Sequence, residues 1–284
     1  MLDFDHSGPN TVALGENLDV ISQLPDGCAQ LIYIDPPFNT GRPQRRTELR
    51  ATKDEHATRK GFGGNTFRML EGESRSYQDS FDDYLDFLMP RLEQAWRCLS
   101  PQGTLYVHLD YREVHYVKVA LDACVGRDKF TNEIIWAYDY GARAKRRWPT
   151  KHDTILMYVK DPTSYWFDSQ EVDREPYMAP GLVTPDKAAR GKLPTDVWWH
   201  TIVSPTGREK TGYPTQKPVG VLRRLVTASS RPGDWVLDFF AGSGTTGFVA
   251  EMLDRKFFLV DNNPEAIEVM RKRLDPDTRF VTVE

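Results

Sequence analysis

The stretch DWVLDFFAGSGTTGFVAEMLDRKFFLVD, residues 234–261, decides the fold. An apolar run over 234–240 stops at a glycine-bearing bend, an amphipathic helix is expected over 244–253, and a second apolar run, KFFLVD over 256–261, ends on an acid. Strand, bend, helix and strand in that order make a βαβ unit with two parallel strands. Gly242, Gly244 and Gly247 satisfy G-x-G-x-x-G, and Asp261 lies 19 residues past the first glycine. Alone, this pattern suits a dinucleotide, because glycines let the backbone approach a pyrophosphate and the acid takes the ribose hydroxyls. The bland alternative is a tight strand-to-helix turn with no ligand.

The same rhythm runs outward from this unit. Strands are expected at TVAL (11–14), LIYI (31–34), TLYVHL (104–109), EIIWAY (133–138), DTILMYV (153–159) and the closing RFVTV. Between them, helices are expected over 19–24, from about Ser80, over 112–124, from Pro218 to Ser229 and over 264–274. Ser80 and Asp83 have capping-box spacing, Pro264 sits at a first helical position, and Pro90 should kink or divide its helix. Apolar strands separated by amphipathic helices imply a three-layer, doubly wound α/β fold: a mostly parallel sheet with helices on both faces. The expected organisation is one domain over 1–284, interrupted at about 40–78 and 139–212 by segments longer than ordinary connections.

The chain has 284 residues, 39% of them hydrophobic, enough for one large core. No run approaches a membrane span and MLDFDHSGPNT is not a signal peptide, so a cytoplasmic protein with no membrane partner is expected. Cys28, Cys98 and Cys124 are widely spaced, and no Cys/His cluster has metal-ligand spacing, so no metal is expected. The net charge of −4 hides two basic runs. Residues 42–68 hold eight Lys and Arg, among them Arg42, Arg45 and Arg46, against three acids; residues 141–152 hold Arg143, Lys145, Arg146, Arg147 and Lys151 with none. A basic run alone is often only a solvated loop, but two in an acidic chain point to a polyanionic partner.

Asp238, set just before the bend, argues against a dinucleotide. Its charge opposes a diphosphate and suits a cofactor bearing an ammonium and a sulfonium. Asp238, Phe240, Gly242, Ser243, Gly244 and Thr245 stand in the order D-x-F-x-G-x-G-T, which is similar to the cofactor loop of S-adenosylmethionine-dependent methyltransferases. LIYIDPPFNTG, residues 31–41, ends a strand on an acid, two prolines and an aromatic, and its DPPF resembles the catalytic motif of DNA amino-methyltransferases. YPTQKPVGVLRRLV (213–226) resembles the family segment that walls the methionine end of the cofactor, with Tyr213 in place of the usual His; this implies cofactor contacts at Gln216, Lys217 and Pro218. LGENLDVISQLPDG (14–27) resembles the segment at the cofactor's adenine, with Asn17 the best match. The catalytic motif precedes the cofactor motif, the order of the beta class, and DPPFNTG is also similar to type III modification subunits.

The resemblance implies a Rossmann-like methyltransferase fold, S-adenosyl-L-methionine as cofactor, double-stranded DNA as partner and a flipped adenine as target. Asp35 and the Pro36 carbonyl would accept hydrogen bonds from the exocyclic amino group, an otherwise poor nucleophile. Pro36 and Pro37 fix that acceptor geometry, and Phe38 offers the extruded base a face. Asp35 also borders the cofactor, and Asp261 would bind its ribose. The segment 139–212 is the candidate target-recognition region, with the basic residues named above as DNA contacts. Class members are often dimers, so a homodimer is implied, and the chain's length suits a solitary enzyme or the partner of a small restriction enzyme. Three alternatives stay open: a cytosine 4-amino methyltransferase, which more often has Ser where Asp35 stands, a nicotinamide-dependent oxidoreductase, and a non-catalytic DNA-binding relative.

Overall fold

The computed structural model describes residues 4–39, 81, 83–139, 143–204 and 207–283, with the backbone alone of 44–53, 59–60 and 66–77. In chain order the strands are β1 (Thr11–Leu14), β2 (Ala29–Ile34), β3 (Gln44–Lys53), β4 (Arg59–Lys60), β5 (Thr66–Tyr77) and β6 (Leu99–Leu109). There follow β7 (Phe130–Ala137), β8 (His152–Val159), β9 (Val197–Trp199), β10 (Trp235–Asp238), β11 (Lys256–Asp261) and β12 (Arg279–Thr282). The helices are α1 (Asn17–Ser22), α2 (Tyr84–Cys98), α3 (Val114–Val125), α4 (Pro185–Arg190), α5 (Val219–Ser229), α6 (Thr245–Met252) and α7 (Pro264–Arg273).

Nine strands form one sheet in the order β12-β1-β11-β10-β2-β6-β8-β7-β9. β8 runs antiparallel to β6 and to β7, and the other neighbours are parallel. Each core strand alternates between two apolar layers. Ile32 and Ile34 of β2 pack with Val20, Leu88, Leu92, Val117 and Leu121 of α1, α2 and α3 on one face. Leu31 and Tyr33 pack with Val221, Leu225, Val249, Ile267 and Met270 of α5, α6 and α7 on the other. Burial of both faces is what a near-continuous apolar strand requires. The doubly wound α/β expectation therefore holds.

The chain leaves β10 through α6 to β11 on one side, and leaves β2 through α2 to β6 on the other. β10 and β2 are nevertheless neighbours, with Val236 opposite Leu31 and Leu237 opposite Ile32. Connections that depart in opposite directions leave a crevice beyond the carboxyl ends of the two strands. Asp238 and Asp35 stand at those ends.

Several sequence expectations need correction. α2 starts at Tyr84, not near Ser80, because Asp83 caps it by accepting from Leu85 N at 3.0 Å and Asp86 N at 3.2 Å; Ser80 lies outside the described residues. Pro90 does not divide the helix, which is a single element with Leu88, Leu92 and Ala95 buried on either side of it. One missing N–H costs less than exposing that face. β10 ends at Asp238 rather than 240, since Phe239 and Phe240 already belong to the bend. The Pro101, Gln102 and Gly103 turn lies within β6, at a register shift between Leu99 and Thr104. The interruption at 40–78 carries β3, β5 and β4 as an antiparallel sheet, and 139–212 supplies α4 and the edge strand β9.

Gly244 has φ +70°, and a Cβ there would lie 2.6 Å from Cγ of the buried Met270. A left-handed backbone and an overpacked neighbour both act against alanine. Gly244→Ala is expected to lower stability by about 1–3 kcal/mol, seen as a lower urea midpoint at an unchanged slope.

Candidate active site

A cavity of about 730 Å³ opens at the β2/β10 crevice. Its wall includes Asn17, the whole of Asp35–Phe38, Tyr213, Gln216 and Lys217, and the bend residues Asp238, Phe240, Gly242, Ser243 and Thr245, with Asp261 beyond. Two motifs more than 200 residues apart in the chain therefore share one space. Pro218 and Gly244 do not face it: Pro218 caps α5 and Gly244 caps α6.

At one end, Asn17 donates to the Phe239 carbonyl at 3.0 Å and accepts from Arg91 Nε at 2.6 Å. The Arg91 guanidinium lies 4.1 Å over the Phe87 ring, and Phe87 stacks on Phe81 with centroids 4.2 Å apart. Phe81, Phe87 and Phe240 give this end of the cavity an aromatic wall.

In the middle, the glycine bend is tied down by acids. Asp261 accepts from Gly242 N at 2.7 Å and from Asn263 N at 2.9 Å, so its carboxylate fixes the bend while still facing the cavity. Asp238 is 2% exposed and accepts from Thr246 Oγ1 at 2.6 Å and Phe240 N at 3.0 Å. Burial, seconded by the charges of Asp35 and Asp261, pushes the Asp238 carboxyl up to about 7 against those two hydrogen bonds. Burial likewise pushes Asp261 up to about 6, against its two backbone donors.

Asp35 lines the same cavity. Its Oδ2 is ion-paired with Lys217 Nζ, whereas Oδ1 is buried without a hydrogen-bond partner. The loop carrying it is locked by Tyr84, whose hydroxyl donates to the Pro37 carbonyl at 2.7 Å, and by Asn39 Oδ1, which accepts from Phe81 N at 3.1 Å. Phe38 lies beside Lys217, with Nζ 5.1 Å from the ring centroid. Trp136 and Tyr138 line the cavity as well. An acceptor held rigid, dry and unpaired can take a hydrogen bond from a substrate N–H with little reorganisation.

Gln216 faces the cavity, but its amide secures the preceding loop, accepting from Thr211 N at 2.8 Å and donating to the Glu209 carbonyl at 2.7 Å. Lys217 meets Asp35 directly, a contact the sequence reading did not foresee. It also missed His108, Asp153, Tyr33 and Tyr138, which form a hydrogen-bonded group behind Asp35. The signal was present: a histidine in LYVHL and an acid in DTILMYV are polar residues inside strands buried on both faces.

Of the basic residues, Arg143, Lys145, Arg146 and Arg147 are exposed, on the segment that leaves β7 beside Tyr138. Arg147 Nη1 donates to Tyr111 Oη at 3.5 Å, and Lys151 is 3.4 Å from Asp139. Arg45 and Arg46 fall on β3, while Arg42 lies outside the described residues. Among the described residues no group of His, Cys, Asp and Glu could hold a metal ion, and no helix is long and apolar enough to cross a membrane.

A family model described as DNA methylase matches residues 29–272. Type II methyltransferase M.HpaI of Haemophilus parainfluenzae is 30% identical over 262 residues, covering 92% of this chain and 72% of that protein. DNA adenine methyltransferase YhdJ of Escherichia coli (strain K12) is 30% identical over 284 residues, covering 96% of this chain and 85% of its own. Among solved structures, the M1.HpyAVI–SAM complex matches with TM-score 0.59 at 20% identity over 93% of this chain and 98% of that one. The cytosine-N4-specific PvuII DNA methyltransferase matches with TM-score 0.63 at 16% identity over 94% and 87%. At these identities the structural likeness is one of fold.

The raised carboxyls carry a pH signature. A group with an elevated folded-state pKa adds stability that is fully present below its ordinary value and lost as pH rises through the folded one. Stability of the free protein should therefore fall between about pH 4 and 7 through Asp261 and then Asp238. Asp238→Asn should flatten the upper part of that fall, measured as the denaturant midpoint of both proteins across the range.

Proposed function

Because the chain belongs to the DNA methylase family, it is an S-adenosylmethionine-dependent DNA amino-methyltransferase, and we propose that its target is the 6-amino group of an adenine swung out of the duplex. The observation that carries this reading is the buried, unpartnered Oδ1 of Asp35 in the cavity shared with the glycine bend.

The residues fit the cofactor. The Phe81, Phe87 and Asn17 end suits its adenine, Asp261 its ribose hydroxyls, and Asp238 its positive charge, in a cavity large enough for a small molecule and a base together. Gly242 N and the bend through Thr245 set the backbone close to it. When bound, the cofactor supplies a methyl group made electrophilic by a sulfonium.

The chain's own residues prepare the nucleophile. Asp35 Oδ1 and the Pro36 carbonyl accept from the two amino N–H groups, which draws the nitrogen toward a pyramidal geometry and frees its lone pair. Lys217 holds Asp35 by Oδ2 and so leaves Oδ1 for the substrate. Phe38 and the aromatic rings of Trp136 and Tyr138 offer the extruded base flat apolar surfaces, offsetting the stacking lost on leaving the helix. Exposed Arg143, Lys145, Arg146 and Arg147, close in the chain to Tyr138, are the proposed phosphate contacts, and 139–212 is the proposed target-recognition region. The single-domain organisation, a homodimer and a restriction partner belong to the same reading.

Adenine is favoured over cytosine by the acid at 35, since cytosine enzymes more often carry Ser there, and by the adenine specificity in the name of the E. coli relative. Incubation with mixed-sequence DNA and labelled cofactor, then digestion to nucleosides and mass spectrometry, should yield 6-methylaminopurine deoxynucleoside. Methylated cytosine instead would transfer the proposal to the cytosine reading. Asp35→Ala should lose about 10²–10³-fold in transfer rate while still binding cofactor; near-normal turnover would remove Asp35 from its role.

A further inference from the structure

Behind Asp35 lies a polar chain centred on His108 and Asp153, which take no part in binding the base or preparing its amino group. His108 on β6 is fully buried between Val107 and Leu109, which are also at 0% exposure. Its Nε2 donates to Asp153 Oδ2 at 3.3 Å, and Tyr138 donates its hydroxyl to Asp153 Oδ1 at 3.0 Å. Its Nδ1 is 2.8 Å from the Tyr33 hydroxyl and 3.8 Å from the unpartnered Oδ1 of Asp35. A carboxylate only accepts, so with the ring neutral Asp153 fixes its proton on Nε2 and leaves the Nδ1 lone pair to accept from the Tyr33 hydroxyl, with Asp35 Oδ1 next to it. Trp136 and Phe38 pack on the ring, with centroids 5.5 and 5.8 Å away. An imidazole is a costly occupant of such a strand, where an aliphatic side chain would serve packing better.

Resting on the reading of Asp35 as acceptor, we infer that His108, oriented by Asp153, takes over the proton that the methylated nitrogen must lose. As the N–C bond forms, the S–C bond breaks and its electron pair stays on sulfur. The nitrogen is left cationic, with one proton in excess. That proton passes to Asp35 Oδ1 and from there to His108 Nδ1, so Asp35 returns to the carboxylate form. The ring becomes an imidazolium between Asp153 and Tyr33, whose hydroxyl turns to accept, and the proton reaches water after product leaves.

The surroundings suit both charge states. Facing the ring or its partners are Tyr33 on β2, Asp35 beyond it, Asp153 on β8, Tyr138 after β7, Asp238 at the end of β10, and Lys217, paired to Asp35. Two carboxylates, Asp153 and Asp35, lie against the ring where it gains its charge. Burial, aided by Asp35, Asp238 and Asp153, holds the Tyr33 hydroxyl well above its ordinary range, so it stays a phenol. Burial alone would raise Asp153, but the hydrogen bond from His108, with Lys217 and Tyr138, brings it below the usual carboxylate value. It remains the anion that steers the ring.

His108→Gln keeps a donor toward Asp153 but cannot take the proton, and Asp153→Asn lets the ring adopt the other tautomer. Both should lower kcat by about 10²-fold with the DNA KM and cofactor affinity retained, the scale of a lost proton-transfer group. In single-turnover measurements the wild-type rate should fall as the pH is lowered, and His108→Gln should lose that limb. Nitrogen spectra of histidine-labelled wild-type protein should show the proton on Nε2, moving to Nδ1 in Asp153→Asn. A folded His108→Gln with the wild-type pH profile overturns the relay. Should that variant fail to fold, a wild-type single-turnover rate that does not fall at acid pH overturns it equally. Wild-type protein that methylates no DNA sinks the proposed function itself, and the relay with it.

Discussion

The lateral pairing of β2 with β10 is the contact on which the site depends. Parallel neighbours lie about 4.8 Å apart, so side chains leaving their carboxyl ends enter the same space whatever their separation in the chain. Had β10 paired elsewhere, the acceptor loop and the glycine bend would face different crevices. The pairing is secured by the two apolar layers, because a slip of one residue would turn Leu31 and Ile32 onto each other's faces.

That geometry gathers Asp35, Asp153, Asp238 and Asp261 around one cavity, with Lys217 paired to only one of them. Such crowding is costly in a dry site, and the protein meets the cost differently at each acid. Asp261 and Asp238 are given backbone and hydroxyl donors, yet both still hold their protons more tightly than usual. Asp153 is offset by His108, and Asp35 by Lys217 on one oxygen alone. An environment this poor in positive charge favours a cationic ligand and a reaction that builds positive charge on nitrogen.

Much was legible because it was local. The βαβ unit at 234–261 gave strand, bend, helix and strand in order, with KFFLVD matching β11 at both ends. Asp35 and Asp238 were legible as acids at strand ends for the same reason. Helix starts were less so: Asp83 rather than Ser80 stands at the cap position of α2, and Pro90 was carried by the burial around it. Gln216 illustrates the limit of a motif, since its amide is spent on the loop around Thr211 and Glu209.

Sequence by itself determined the order of the core strands and helices outside the two interruptions, the alternation that buries both faces of the sheet and the two motifs as stretches of residues, since these follow from periodicity and neighbouring residues. Tertiary structure alone decided that Lys217 meets Asp35 across 182 positions and that His108 sits between Asp35 and Asp153. The reason is physical: periodicity says which face of a strand is buried, but which side chain waits on that face is set by sheet order, and sheet order is fixed only when the whole core closes.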